Sequence, residues 1–287
     1  MMPVYNKKKG IALILASSFC FSAMGVFARL AGDVPAMEKT FFRNLVSVIV
    51  IVLLLLKQGK KIRITKEHFP FHLMRSGFGT LCVVLNFYAM DRMVLSDFST
   101  ISNLCPFFVI IFSALILREK ASGKQWGLIA VAMIGTLFVV KPSPAIFQNP
   151  AAILALIGAM GGGMAYTMVR LLQQKGEEGT TIVFFFSLFS CVVCLPSVLM
   201  NPVPLTGQQF IYLLAAAICA CGGQFAVTGA YKDAPGSEIS IFDYSQILFA
   251  AILGFVVFRE IADVWSYVGY VIIFVSAFLV YLEGKKK

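Results

Sequence analysis

The chain has 287 residues, of which 59% are hydrophobic and only 13% charged, with a mean hydropathy of +0.86 and a formal net charge of +10. A water-soluble domain carries about 25% charged residues, so the composition excludes an ordinary soluble enzyme or binding module. Nucleic acid is excluded as a partner too, because the basic residues sit in short gaps between apolar blocks and are not clustered with exposed aromatics.

Ten apolar blocks follow in chain order, at 10–30, 38–57, 69–90, 96–117, 123–140, 150–172, 180–200, 207–229, 237–258 and 263–282. A bilayer core of about 30 Å needs about 20 apolar residues to cross it. Hydrocarbon offers backbone amides no water, so each block is predicted to be helical. Lys7-Lys8-Lys9 ahead of the first block resembles the start of a secretory signal. The block is too long for such a signal's apolar region and has no convincing cleavage site, so it is expected to remain as a membrane helix. Lys57-Gln58-Gly59-Lys60-Lys61, Pro142-Ser143-Pro144 and Asn201-Pro202-Val203-Pro204 mark loops. The expected fold class is an all-α integral membrane protein of ten transmembrane helices.

An even number of spans puts both termini on one side. With that side inside, most of the 24 basic residues fall in inner loops and tails, among them Lys7–Lys9, Lys57, Lys60, Lys61, Arg63, Lys120, Lys175, Lys232 and Lys285–Lys287. Arg29, Lys39, Arg43, Arg92, Lys141 and Arg259 fall outside. The positive-inside asymmetry predicts that both termini are cytoplasmic. All seven cysteines lie within apolar blocks and read as small packing residues, Cys191 and Cys194 included. His68 and His72 share a helical face, but no acidic or thiol ligand stands nearby at a useful spacing, so an interfacial position is expected rather than a metal site.

A gapless shift of 141 residues lays the first half over the second: Arg29 meets Arg170, Ala89 meets Ala230, Ser96-Asp97 meets Ser237-Glu238, and Arg118-Glu119 meets Arg259-Glu260. The predicted domains are therefore 1–141 and 142–287, with five helices each. Five is odd, so the second half enters the membrane inverted, an arrangement typical of secondary transporters with a mid-membrane site between the halves.

With this plan, Phe42-Arg43, Tyr88-Ala89-Met90, Leu95-Ser96-Asp97, Pro106 and Leu117-Arg118-Glu119, and the fainter copy at Ala230, Ser237-Glu238 and Arg259-Glu260, the chain resembles the EamA-type drug/metabolite transporters from about residue 10 to 282. The resemblance implies movement of small metabolites, often export, across a bacterial inner membrane, either cation-independent or linked to protons. Members of the family handle amino acids, S-adenosylmethionine, riboflavin and other solutes. It also implies a cavity surrounded by helices 1, 3, 4, 6, 8 and 9. Pro106 aligns with Ile247, so a kink there has no proline to mirror it.

Polar positions within the blocks give candidate substrate-binding residues. Ser18, Ser22, Gly25 and Arg29 form a stripe in the first block, matched by Ala159, Gly163, Tyr166 and Arg170 in the sixth. Small residues there fit close packing, as does Gly158-x-x-x-Gly162, whereas Tyr166 fits a cavity. Arg75, Gly79, Cys82 and Asn86 share an arc. Arg75 lies about 9 Å inside its block, where it either snorkels to the interface or binds an anion. Asn86 is deeper and a candidate ligand. Ser99, Asn103 and Pro106 share a face, and Gln224 borders a small-residue stripe. Ser240, Asp243 and Tyr244 form another arc. Asp243, the acidic residue deepest in a block, either binds a proton or substrate amine or pairs with an arginine such as Arg75. Asp97 and Glu238 read as helix-start residues, and Arg118-Glu119 and Arg259-Glu260 as helix ends at opposite interfaces.

The substrate-binding set is thus Tyr166, Asn86, Asn103, Tyr244, Asp243, Arg75, Ser22 and Gln224, and its mix of groups suits a zwitterionic solute such as an amino acid. The expected protein is a monomeric alternating-access carrier that needs no cofactor, with protons as a candidate coupling ion. The alternatives are a membrane binding or regulatory subunit that moves nothing, and a carrier for a vitamin-like solute. No catalytic constellation stands at depth, so an intramembrane enzyme is not expected.

Overall fold

A computed structural model of the chain describes residues 6–59, 62, 64–90, 92–93, 98, 101–119, 122–141, 149–259, 261 and 263–283. Ten helices carry the architecture: α1 (Lys7–Leu30), α2 (Ala36–Gln58), α3 (Phe69–Met90), α4 (Cys105–Ile116), α5 (Gly123–Val140), α6 (Pro150–Gln174), α7 (Gly179–Met200), α8 (Gly207–Asp233), α9 (Ser245–Phe258) and α10 (Val264–Glu283). A helical turn at Gly236–Ile239 and a 3₁₀ stretch at Ser240–Tyr244 lead into α9. No strand occurs among the described residues.

Eight helical stretches are long and apolar enough to cross a membrane: α1 to α3, α5 to α8, and Ser240–Phe258. Cys105–Ile116 and Val264–Leu279 are shorter apolar helices. The chain is a multi-pass membrane protein. Eight predicted blocks survive as single helices, while 96–117 and 237–258 are interrupted. In the first of these, Asn103 and Leu104 form a turn before α4, with Pro106 in its first turn. Proline at the start of a helix costs no hydrogen bond, since that amide has no intrahelical acceptor. The second block breaks at the corresponding place without a proline, by tightening into 3₁₀ geometry, so the break is mirrored although Pro106 is not.

Local end signals repeat at the same spacing as the sequence. Thr65 and Thr206 accept from the backbone amides of His68 and Gln209 at the starts of α3 and α8. Ser122 and Asp263 do the same for Gln125 and Ser266 at the starts of α5 and α10. Such side chains satisfy amides that have no carbonyl partner in the first turn. Arg118 and Arg259 end α4 and α9 in left-handed backbone, at φ 57° and 59°. Ser96-Asp97, Ser99, Glu260, Pro142-Ser143-Pro144, Lys60, Lys61, Arg63, Lys120 and Lys285–Lys287 lie outside the described residues, as does the side chain of Ser237. Capping is not the role of Glu238: Pro235 occupies the cap position without a side-chain bond, and Glu238 sits in the first turn, paired with Lys7 at 2.8 Å.

Polar side chains turn inward and apolar ones outward, as lipid demands. Ser17, Thr40, Asn44, Ser76 and Thr80 are buried, whereas Leu56, Val192, Met200 and Phe274 are exposed. Helices pair mainly between the two halves: α1 with α8, α3 with α6, α2 with α7, and α5 with α10. Ser17 donates to the Gly223 carbonyl across the α1–α8 seam, and the Thr80 and Ser190 hydroxyls meet at 2.6 Å between α3 and α7. At Gly163 an added Cβ would lie 2.5 Å from Phe108 Cβ, so glycine is what allows α4 to approach α6.

Ion pairs gather at the end where α1 begins and α8 finishes. Lys7 and Lys9 reach Glu238 and Asp233, and Lys175 reaches Glu67. Arg170, 1% exposed, donates to Glu119 at 2.9 Å and to the Tyr231 carbonyl at 2.8 Å, joining the ends of α4, α6 and α8. His68 contacts Glu177 at 2.6 Å, and His72 faces the same oxygen at 3.7 Å. His72 is fully buried, with Glu177, distant in sequence, packed beside it near the start of α3.

Substituting Glu119→Gln leaves the Arg170 guanidinium buried beside a neutral partner, and loss of one member of a buried pair costs about 3 kcal/mol. The expected result is a clearly lower thermal midpoint in detergent. Asp263→Asn is the contrast. Its exposed carboxyl, held down at about 2 chiefly by hydrogen bonding to Lys141, contributes stability that is complete above about pH 4 and is lost as pH falls towards 2. Asn retains the helix cap but loses the charge, so the midpoint of that variant should lie slightly below the parent between pH 5 and 8, by less than for Glu119→Gln, with the gap closing as pH falls towards 2.

Candidate functional site

A cavity of about 320 Å³ lies at the centre of the helices. Its walls come from α1 (Phe21, Met24, Gly25, Ala28), α3 (Arg75, Gly79, Cys82, Val83, Asn86, Phe87, Met90), the approach to α4 (Phe98, Ser102, Asn103) and α4 itself (Cys105, Pro106). The second half contributes Gly162, Ala165 and Tyr166 of α6, Gln224 of α8, Asp243 of the 3₁₀ stretch and Gln246 of α9. Arg43 of α2 and Phe186 of α7 complete it. The six helices that the resemblance implied all take part, and two more join them.

Both helix breaks lie at this cavity. A 3₁₀ segment has three residues per turn, so side chains three apart eclipse. That geometry aligns Asp243 with Gln246 towards the cavity and swings Tyr244 away. Tyr244 is 1% exposed and belongs to the hydrophobic core rather than to the lining. Ser22 is also absent from the lining. Its hydroxyl donates to the carbonyls of Ser18 and Gln246, tying α1 to the start of α9. The lining arc of α1 runs through Phe21, Met24, Gly25 and Ala28, so Gly25 is the member of the predicted stripe that faces the cavity.

Arg75 is 2% exposed and does not snorkel. Its guanidinium lies over the Phe186 ring, 4.0 Å from the centroid, and its Nε has no hydrogen-bond partner. A Cβ at Gly79 would collide with the Arg75 guanidinium and sit 2.9 Å from Phe186, so this glycine makes the room in which the charge lies. No ion pair joins Arg75 to Asp243 among the described residues. Asn86 donates to Cys82 at 3.5 Å, and its Oδ1 faces Gly158 of α6. Gln224 donates to Thr228 within α8, also at 3.5 Å.

Arg43 was placed by sequence with the outward-side charges near a helix start. The structure turns it into the cavity, with its guanidinium 5.6 Å from the Phe21 ring centroid. Its depth, two turns into α2, was the signal that it differs from an interfacial charge. Phe186 carried no signal, because its partner arginine comes from another helix.

The cavity reaches Ala28, Met90 and Phe98, near the end where α1 and α3 finish. Towards the opposite end Tyr166 stacks on Tyr231 at 5.5 Å, and the Arg170–Glu119 pair lies beyond. The polar groups of the lining can hold a small solute by charge, amide and aromatic contacts.

A profile of the EamA-like transporter family matches residues 8–141 and again 149–282. The pseudopaline exporter of Pseudomonas aeruginosa (strain UCBPP-PA14) is 30% identical, over 94% of this chain and 94% of that protein. The riboflavin transporter of Vibrio cholerae is 24% identical, over 98% and 96%. A solved crystal structure shares the fold, with a TM-score of 0.84 at 14% identity, covering 96% of this chain and 98% of the other.

Replacing Gly79 with Ala tests how the site is built. The methyl group must displace the Arg75 guanidinium or the Phe186 ring, a strain of about 1–3 kcal/mol. The thermal midpoint should fall, and Gly79→Ala combined with Arg75→Ala should recover part of the loss.

Proposed function

Because the chain belongs to the EamA-like transporter family, we propose that it is a secondary transporter that carries a small metabolite across the bacterial inner membrane by alternating access of the central cavity. The observation that carries this reading is the cavity itself, bordered by helices of both family-matched segments and holding charged and amide groups at the level of two broken helices. Irregular backbone at membrane depth is tolerated where it lines a cavity, and broken helices are a recurrent feature of transporter sites.

The finer topology is ten spans in two inverted halves, 1–141 and 142–287, with both termini in the cytoplasm. Its support is the spacing of 141 residues shared by caps and left-handed helix ends, the positive-inside charge pattern, and the exchange of partners: α1 packs on α8 as α3 packs on α6. In this topology the cavity faces outward and the ion-paired end is the closed cytoplasmic side. Substrate contacts fall to Arg75, Asn86, Asn103, Tyr166, Gln224 and Asp243, joined by Arg43. Ser22 and Tyr244 support the 3₁₀ break behind the site. Asp243 is the candidate for proton coupling, export is the working direction, and a monomer suffices.

Purified protein in liposomes should mediate counterflow of a labelled metabolite, and Asp243→Asn should flatten the pH dependence of that flux. Full pH dependence in the variant would remove Asp243 from coupling. No counterflow across amino acids, carboxylates, nucleosides and vitamins, at either pH gradient, would remove the transport reading.

A further inference from the structure

The geometry points to a substrate with net negative charge: a solute bearing two acidic groups of carboxylate type and a single amine. This deepens the transport reading and rests on it.

The charge count among the described lining residues is two guanidiniums, Arg43 and Arg75, against one carboxylate, Asp243. Arginine stays protonated in proteins, so these lining residues carry an excess positive charge inside a low-dielectric body. The same protein shows how it treats an arginine whose task is structural. Arg170 is as buried as Arg75, yet it has a carboxylate at 2.9 Å and a carbonyl at 2.8 Å. Arg75 has neither; an aromatic face holds it, its Nε is orphaned, and Gly79 clears the space around it. Arg43 likewise rests near an aromatic ring, and no described carboxylate lies within ion-pair distance. A ring stacked on the guanidinium fixes its plane and leaves the edges free, and it is the edges that bind a carboxylate through two parallel hydrogen bonds.

Position adds the second acidic group and the amine. Arg43 and Arg75 project from different helices, α2 and α3, so each can anchor its own acidic group. Asp243 enters from the 3₁₀ stretch that packs against α1 and α4, a different part of the wall, where it meets an amine. The cavity volume of about 320 Å³ is at the low end for small-molecule sites, which restricts the solute to a compact metabolite.

The test uses the full chain with four charge classes at millimolar concentration: amino dicarboxylates such as glutamate and aspartate, amine-free di- and tricarboxylates, neutral amino acids, and lysine. Two readouts are taken, the thermal midpoint in detergent and counterflow in liposomes. Amino dicarboxylates or larger members of their class are expected to give the largest shift and flux. Arg75→Gln and Arg43→Gln should each weaken the apparent affinity by about tenfold or more, the loss of one charged hydrogen-bonding partner. Asp243→Asn should narrow the gap between solutes with and without the amine. Neutral or cationic solutes driving counterflow while no dicarboxylate does would overturn the charge inference and leave the transporter reading intact. Dicarboxylates that stabilise without moving would keep the charge inference and end the transport reading. Absence of both readouts in every class would overturn the two together. Arg75→Lys, which keeps the charge and loses the fork, separates a binding defect from misfolding: it should retain the parent midpoint without ligand.

Discussion

Hydrocarbon supplies no hydrogen-bond partner to a peptide group, and that constraint decides where this chain is allowed to be irregular. Helices run unbroken wherever they face lipid, with leucine, valine and phenylalanine outward. The interruptions at Asn103–Leu104 and Ser240–Tyr244 occur inside, where Ser22 can donate to the Gln246 carbonyl and a cavity adjoins the backbone. The binding geometry follows from this. Each break turns side chains inward that a continuous helix would have spread around its circumference.

Charge obeys a related rule with a different outcome at each level of the bundle. Where α4, α6 and α8 end together, every described acid finds a base or a donor: Glu119 with Arg170 and Gln174, Glu177 with His68, Asp233 with Lys9. Deeper in, Arg75 is set against a ring, with no counter-charge among the described residues. Burying an ion without a partner is costly, so the contrast separates groups that fasten the fold from groups held ready for something else.

Much of the helical plan was legible because it depends on block length alone. The bounds 69–90 and 123–140 are met to the residue, and most others within a few. Cavity-lining positions were legible where helical periodicity held, as for Arg75, Asn86 and Tyr166. They were misplaced where it failed: Tyr244 lies in a segment with a period of three, and Ser22 faces the break that this segment creates. Arg43 was hidden by its nearness to a predicted helix start, and Glu177 by its separation of more than a hundred residues from the histidines it meets. Packing between distant helices decides such cases, and no local pattern records it.

The exchange of partners between halves has a consequence for how the protein is made. While only α1 to α5 have left the ribosome, α1 lacks the α8 surface that receives Ser17, and α3 lacks the Phe186 ring and the Ser190 hydroxyl of α7. Those polar faces must wait in the insertion machinery, against lipid headgroups or against each other until the later helices emerge. The nascent first half thus exposes polar faces that the second half later covers, and slow translation between α5 and α8 would lengthen that exposure.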